Sequence, residues 1–132
     1  MSTILHEVTH CLGFSKRIFP MFIDENGNKR VDPVILFTNS NGQQQQGLAT
    51  PNVLAYARKF YGCDSWNVVP LENDGIPGTA GSHLETTFYF NDVITSASIF
   101  PEKVYSGFTW SVLADSGWYG IDLKNAEVFS AG

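Results

Sequence analysis

The sequence predicts an α+β chain in which a first helix is followed by a mixed region of short strands and two further helices. Three observations carry this. Residues 2–13 show helical apolar spacing around two histidines four apart, and the pattern stops at Gly13. Residues 17–38 hold apolar runs on either side of a polar turn centred on Asn26-Gly27, the pattern of paired strands. Residues 50–61 carry helix signals at both ends, and residues 101–117 read as a last helix closed by Gly117. At 132 residues, the chain reads as one domain or part of one.

The first helix contains His6-Glu7-Val8-Thr9-His10. Side chains four apart on a helix share a face one turn apart, so the two imidazoles reach a common ion. Glu7 follows the first histidine directly, which places its carboxylate beside such an ion rather than on it. Two nitrogen ligands with a base next to a metal-activated water is the arrangement a zinc peptidase needs. Ile4, Leu5, Val8 and Leu12 surround the ligand face with apolar side chains. Cys11 points about 100° away from His10 and reads as a small buried residue rather than a ligand.

In the commonest pattern of this kind a third histidine comes six residues after the second, where this chain has Lys16. An ammonium group does not bind zinc without losing its proton, so the third ligand is sought further on. Asp24 and Glu25 lie in a turn and read as a solvated loop. Residues 39–49, with Gln43 to Gln46 at their centre, read as a mobile low-complexity surface loop without function. In residues 50–61, Thr50 is the expected N-cap, Pro51 suits the first turn, Arg58 and Lys59 suit the last, and Gly62 follows it. Val53, Leu54, Ala57, Phe60 and Tyr61 give that helix an apolar face that reads as scaffold. A loop punctuated by Asp74-Gly75-Ile76-Pro77-Gly78 and Gly81 leads to His83, the last histidine of the chain and the candidate third ligand. In the last helix Val104, Tyr105, Phe108, Val112 and Leu113 are candidate core positions. Trp118, Tyr119 and Ile121 are expected to pack back beneath the site.

Composition removes several function classes. Apolar residues make up 43% of the chain, enough for a core, while the net charge of −5 and the lack of a basic stripe argue against nucleic acid. No apolar run reaches the roughly 18 residues of a membrane span. The N-terminus lacks a charged segment followed by an apolar stretch, and the C-terminus lacks a lipid-anchor signal, so neither a signal peptide nor an anchor is expected. The two cysteines, Cys11 and Cys63, do not form a disulfide framework, and a partner for Cys63 is not evident. Oligomeric state is not legible.

Four stretches resemble the leishmanolysin family of zinc metalloendopeptidases, which are metzincin-like. They are residues 6–15; residues 50–63 with the following Val69-Pro70-Leu71-Glu72; residues 81–85; and residues 108–119 with Ala126-Glu127-Val128. They run nearly end to end in the family's order. The long insertion between the glycine of the metal helix and a Gly-Ser-His third ligand, here Gly81-Ser82-His83, is the most specific of these features. The resemblance implies a zincin-like catalytic fragment, one Zn2+ per chain held by His6, His10 and His83, and Glu7 as general base. It also implies hydrolysis of peptide or protein substrates, an extracellular or cell-surface location, and a link to cell adhesion.

Two departures accompany the resemblance. The family places a methionine eleven residues after the third histidine, in a turn under the metal, and this position is Ile94. The family's upstream sheet, on whose edge an extended peptide lies, would have to precede the metal helix, where only Met1 to Leu5 stand. Its C-terminal domain is likewise not matched. The expectation is therefore a metal helix plus central domain. Its function is zinc peptidase chemistry or, alternatively, that of an inactive zinc-binding relative acting as a structural or cell-surface adhesion and interaction domain.

Overall fold

The computed structural model describes residues 2–73, 80–89, 91–96 and 102–128. The expected turn at residues 74–78, Phe90, residue 101 and the end of the tail lie outside this set.

Helix α1 spans Ser2–Leu12. It ends where Gly13 takes φ +148°, a conformation that favours glycine, and Phe14 N–H folds back onto the Thr9 carbonyl at 3.2 Å. The following apolar run does not form a strand. Phe19 and Phe22 stand three apart and are both buried, which is helical spacing, and Pro20 between them cannot donate to a ladder. The chain therefore makes a short 3-10 turn, Phe19–Met21. Phe14, Phe19, Phe22 and Trp118 then stack edge to face in sequence, with ring centres 5.3 to 5.7 Å apart. The Asn-Gly turn is present, but only Ile23 and Lys29 pair across it. Asp24 Oδ1 accepts from the Asn26 and Asn28 amides, so this acidic residue is engaged in its own turn.

Strands β1 (Val34–Thr38), β2 (Gln44–Leu48) and β3 (Val69–Pro70) form an antiparallel sheet in that spatial order. The glutamine run, expected as a mobile loop, is the central strand of this sheet. Val34 pairs with Leu48 and Thr38 with Gln44. Asn39 Oδ1 accepts from the amides of Asn41 and Gln43, and Gly42 at φ +78° completes the hairpin turn. Gln45 is buried because its amide has partners: Nε2 donates to the Leu71 carbonyl at 2.7 Å and to Glu85 Oε2 at 3.0 Å. Gly47 lies so close to the neighbouring chain that a Cβ there would fall 2.2 Å from Val68 Cγ2.

Helix α2 spans Pro51–Tyr61, as its sequence signals predict, and Gly62 ends it at φ +63°. Its N-terminus is not capped by the Thr50 side chain. The carboxylate of Asp115, distant in sequence, accepts from the amides of both Asn52 and Val53 at 2.9 Å. A short helix α3 covers Thr86–Tyr89, and α4 covers Gly107–Asp115. Helix α4 starts later than the sequence suggests because Ser106 is a true N-cap and the chain before it is extended, with Val104 pairing alongside Asp92. Val104 and Tyr105 are accordingly only partly buried, whereas Phe108, Val112 and Leu113 are core. Phe108 joins α2 to α4, its ring centre 4.9 Å from Tyr56, 5.2 Å from Phe60 and 4.8 Å from Tyr89. Among the described residues no helix is long and apolar enough to cross a membrane.

Candidate metal centre

Helical geometry presents His6 and His10 on one face of α1, one turn apart. The third histidine arrives on an extended segment. Leu84 pairs with Leu71 on one side and with Thr95 on the other, while the Glu72 N–H donates to the His83 carbonyl at 2.8 Å. Lys16, which occupies the position of the commonest third ligand, contributes through its backbone: its N–H donates to Ser82 Oγ at 3.1 Å, next to His83.

The three rings meet at their Nε2 atoms. Nε2 of His6 is 3.0 Å from that of His10 and 3.1 Å from that of His83. These three side chains form a group whose ligand atoms lie within 4.8 Å of one another, all half-buried. Two of the rings have fixed orientations. His6 Nδ1–H donates to the Val93 carbonyl and His10 Nδ1–H to the Phe14 carbonyl, each at 2.7 Å. With Nδ1 as donor, Nε2 of both rings carries a lone pair. Two lone pairs facing each other at 3.0 Å repel unless a cation lies between them. Tetrahedral zinc with Zn–N near 2.0–2.1 Å sets its ligand nitrogens about 3.3 Å apart. The two separations at His6 fall a few tenths of an ångström below that, and all three ligand atoms lie within 4.8 Å of one another, so the three imidazoles converge within reach of one such ion. Burial lowers the pKa of His10, and His6 adds to this, against the opposing effects of the Phe14 carbonyl and the Glu7 charge. Glu7 itself is exposed, on the open side of α1.

The turn after α3 holds the site from below. Ile94 is fully buried and follows directly on Val93, whose carbonyl holds His6. Asp92 gave no signal in the sequence, yet it is fully buried. Its Oδ1 accepts from Ile94 N–H at 2.9 Å and from Thr109 Oγ1 at 2.6 Å. Its Oδ2 accepts from the Ser106 amide at 3.2 Å and, in a short contact, from the Ser106 hydroxyl. Burial raises the Asp92 carboxyl pKa, and these hydrogen bonds oppose the rise. On the far side of α1, Thr9 Oγ1 bonds both the Leu5 carbonyl and the Tyr105 hydroxyl at 2.7 Å, and Tyr119 Oη donates to the Leu12 carbonyl at 2.7 Å.

Some expectations fail here. Cys11 is exposed, not buried, because its side of α1 faces away from the core. Trp118 packs against Phe22 and over Gly13, at the end of the metal helix rather than beneath the histidines. Ile121 lines a cavity of about 570 Å³ between α2 and α4, together with Tyr56, Phe60 and Ser111, and no histidine of the cluster lines it.

A His-Glu-x-x-His helix joined by a third histidine from an extended segment, on a mixed α/β scaffold, brings together three ligand atoms able to hold a metal ion. Comparison with known proteins gives the family. The leishmanolysin family model matches residues 1–132. A leishmanolysin-like peptidase of Caenorhabditis elegans is 29% identical over 156 aligned positions, covering 96% of this chain and 23% of the relative. A leishmanolysin homolog of Crithidia fasciculata is 31% identical, covering 98% of this chain and 18% of the relative. The leishmanolysin of Leishmania major is 28% identical, covering 98% and 20%. The chain belongs to the leishmanolysin family of metallopeptidases, and it spans about a fifth of the length of these relatives.

Proposed function

We propose that this chain carries the zinc centre of a metzincin-like metalloendopeptidase, with His6, His10 and His83 as the metal ligands and Glu7 as the general base. The observation that supports this most is the convergence of three Nε2 atoms, two of them on rings already committed to carbonyls through Nδ1. Zinc, when bound, supplies Lewis acidity, lowering the pKa of a water towards about 7 and polarising a peptide carbonyl. The chain's own residues do the rest. The Val93 and Phe14 carbonyls keep His6 and His10 in the tautomer that presents Nε2. The Glu7 carboxylate takes a proton from the attacking water and delivers it to the leaving amine nitrogen. Ile94 forms the apolar floor that the family builds with methionine, filling a similar volume. Peptide or protein substrates and an extracellular or cell-surface location accompany this reading. In any length of this protein that cleaves a casein-type substrate, Glu7→Ala keeps zinc and abolishes nearly all hydrolysis; comparable activity in the variant removes Glu7 from the mechanism.

A second reading, metal binding with weak or no turnover by these 132 residues alone, is favoured by one observation. Ile4 is 63% exposed, and Leu5 and Val8 are 44% exposed each. The outer face of the helix that supplies two of the three imidazoles is therefore bare. A ligand pair displaced by about 1 Å costs on the order of 100-fold in rate. Robust, chelator-sensitive casein cleavage by residues 1–132, lost in Glu7→Ala, refutes this second reading.

A further inference from the structure

We propose that Asp92 is a positioning residue for the metal centre, acting on His6 through a single peptide group. The inference rests on the metal-site reading above and adds to it a residue that supports a ligand without touching the metal.

The peptide unit between Val93 and Ile94 carries two of the site's hydrogen bonds. Its carbonyl accepts from His6 Nδ1–H at 2.7 Å, and its N–H donates to Asp92 Oδ1 at 2.9 Å. In a trans peptide the C=O and N–H point in opposite directions, so the carboxylate and the imidazole lie on opposite sides of one rigid plane. Fixing the N–H end therefore fixes the direction of the carbonyl, and with it the ring of His6. Metal-binding histidines commonly donate to a carboxylate or carbonyl that holds their tautomer. Here the carboxylate is one peptide group removed, and hydrogen bonds in series polarise one another along it.

Asp92 is itself anchored from the other side. Ser106 and Thr109, at the N-cap and first turn of α4, supply its remaining donors, and positive partial charge at a helix N-terminus favours a carboxylate there. Val93 N–H to the Val104 carbonyl, at 2.7 Å, pins the same turn to the segment leading into α4. The buried end of α4 thus sets the direction of the Val93 carbonyl. His10 is held differently: its carbonyl partner is Phe14, on the reversal after α1, and the N–H of that peptide, on Ser15, donates to the Gly13 carbonyl at 3.1 Å rather than to a carboxylate.

Asp92→Asn tests this. The carboxamide presents one oxygen where the site has four donors, so either Ile94 N–H or Ser106 N–H faces an NH2 group. The protein is prepared zinc-free with 15N-labelled histidine, and tautomers are read from long-range 1H–15N correlations. In the parent, His6 is expected in the Nδ1–H form. In Asp92→Asn the Nε2–H form of His6 should rise several-fold while His10 stays unchanged, and zinc affinity should fall by about 10- to 100-fold. A purely structural role would lower stability and leave the His6 tautomer and the His6–His10 difference as they were. If Asp92→Asn lacks a dispersed amide spectrum, Thr109→Val decides: it removes one donor from Asp92 and should shift His6 the same way by less. An unchanged His6 tautomer in a folded variant overturns the proposal. A parent that binds no zinc overturns the metal-site reading, and the tautomer comparison still decides this one.

Discussion

Asp115→Ala should be among the most destabilising single substitutions away from the histidines. The Asp115 carboxylate is fully buried at the C-terminal end of α4, where it caps the start of α2 through Asn52 N–H and Val53 N–H. Arg30 Nη2 lies 3.8 Å from the same carboxylate. Truncation leaves the Val53 amide buried without a partner, which costs about 1–3 kcal/mol. The Asn52 amide is nearer solvent, and its loss resembles removal of an N-cap, about 1 kcal/mol. Arg30 Nε keeps its bond to the Asp115 main-chain carbonyl at 2.7 Å, so that residue is only partly released. The sum is about 3 kcal/mol, a large fraction of the 5–15 kcal/mol that holds a typical domain together. Urea denaturation at pH 7, followed by tryptophan fluorescence, gives the number from the shift in midpoint at constant m. Asp115→Asn keeps one acceptor and should lose less than Asp115→Ala. A loss below about 1 kcal/mol in Asp115→Ala would refute the view that this carboxylate, rather than Thr50, caps α2.

Two further outcomes follow from the same packing. Ile94→Met conserves volume at a fully buried position and should cost under about 1.5 kcal/mol by denaturant midpoint, with zinc affinity kept; a larger loss would mean that this turn does not accept the family's methionine. Burial, with Glu72 nearby, raises the Glu85 carboxyl pKa, so its ionised form opposes folding, and the favourable contribution present below the unfolded value of about 4.3 is lost as pH rises through the folded value. Glu85→Gln should therefore melt higher than the parent at pH 7, with the gap closing as the pH falls; a gap that is constant with pH would show that Glu85 charge is not the cause.

What was legible in the sequence is what is local. His6, Glu7 and His10 declare themselves because helical periodicity alone brings them together, and α2 declares itself through Pro51, Arg58, Lys59 and Gly62. His83 was legible because histidine is scarce, with three in the chain. What escaped depends on partners far away in sequence. Gln44 to Gln46 look like a solvated tract, yet the Leu71 carbonyl and Glu85 give Gln45 a reason to be buried. Thr50 has the chemistry of an N-cap, but Asp115 takes the role with two oxygens. Asp92 belongs to no motif of the sequence, and its role comes from Ser106, Thr109 and Ile94 around it. The Phe19 and Phe22 run has the apolar content of a strand, but their helical spacing and Pro20 decide for a turn.

The central claim is a single zinc held by three imidazoles, and metal content with affinity tests it most directly. Purified protein should contain one zinc per chain, and His6→Ala, His10→Ala and His83→Ala should each lose most of the affinity in chelator competition. His83→Ala binding zinc as tightly as the parent would contradict the three-histidine site, whatever the helix pair retains.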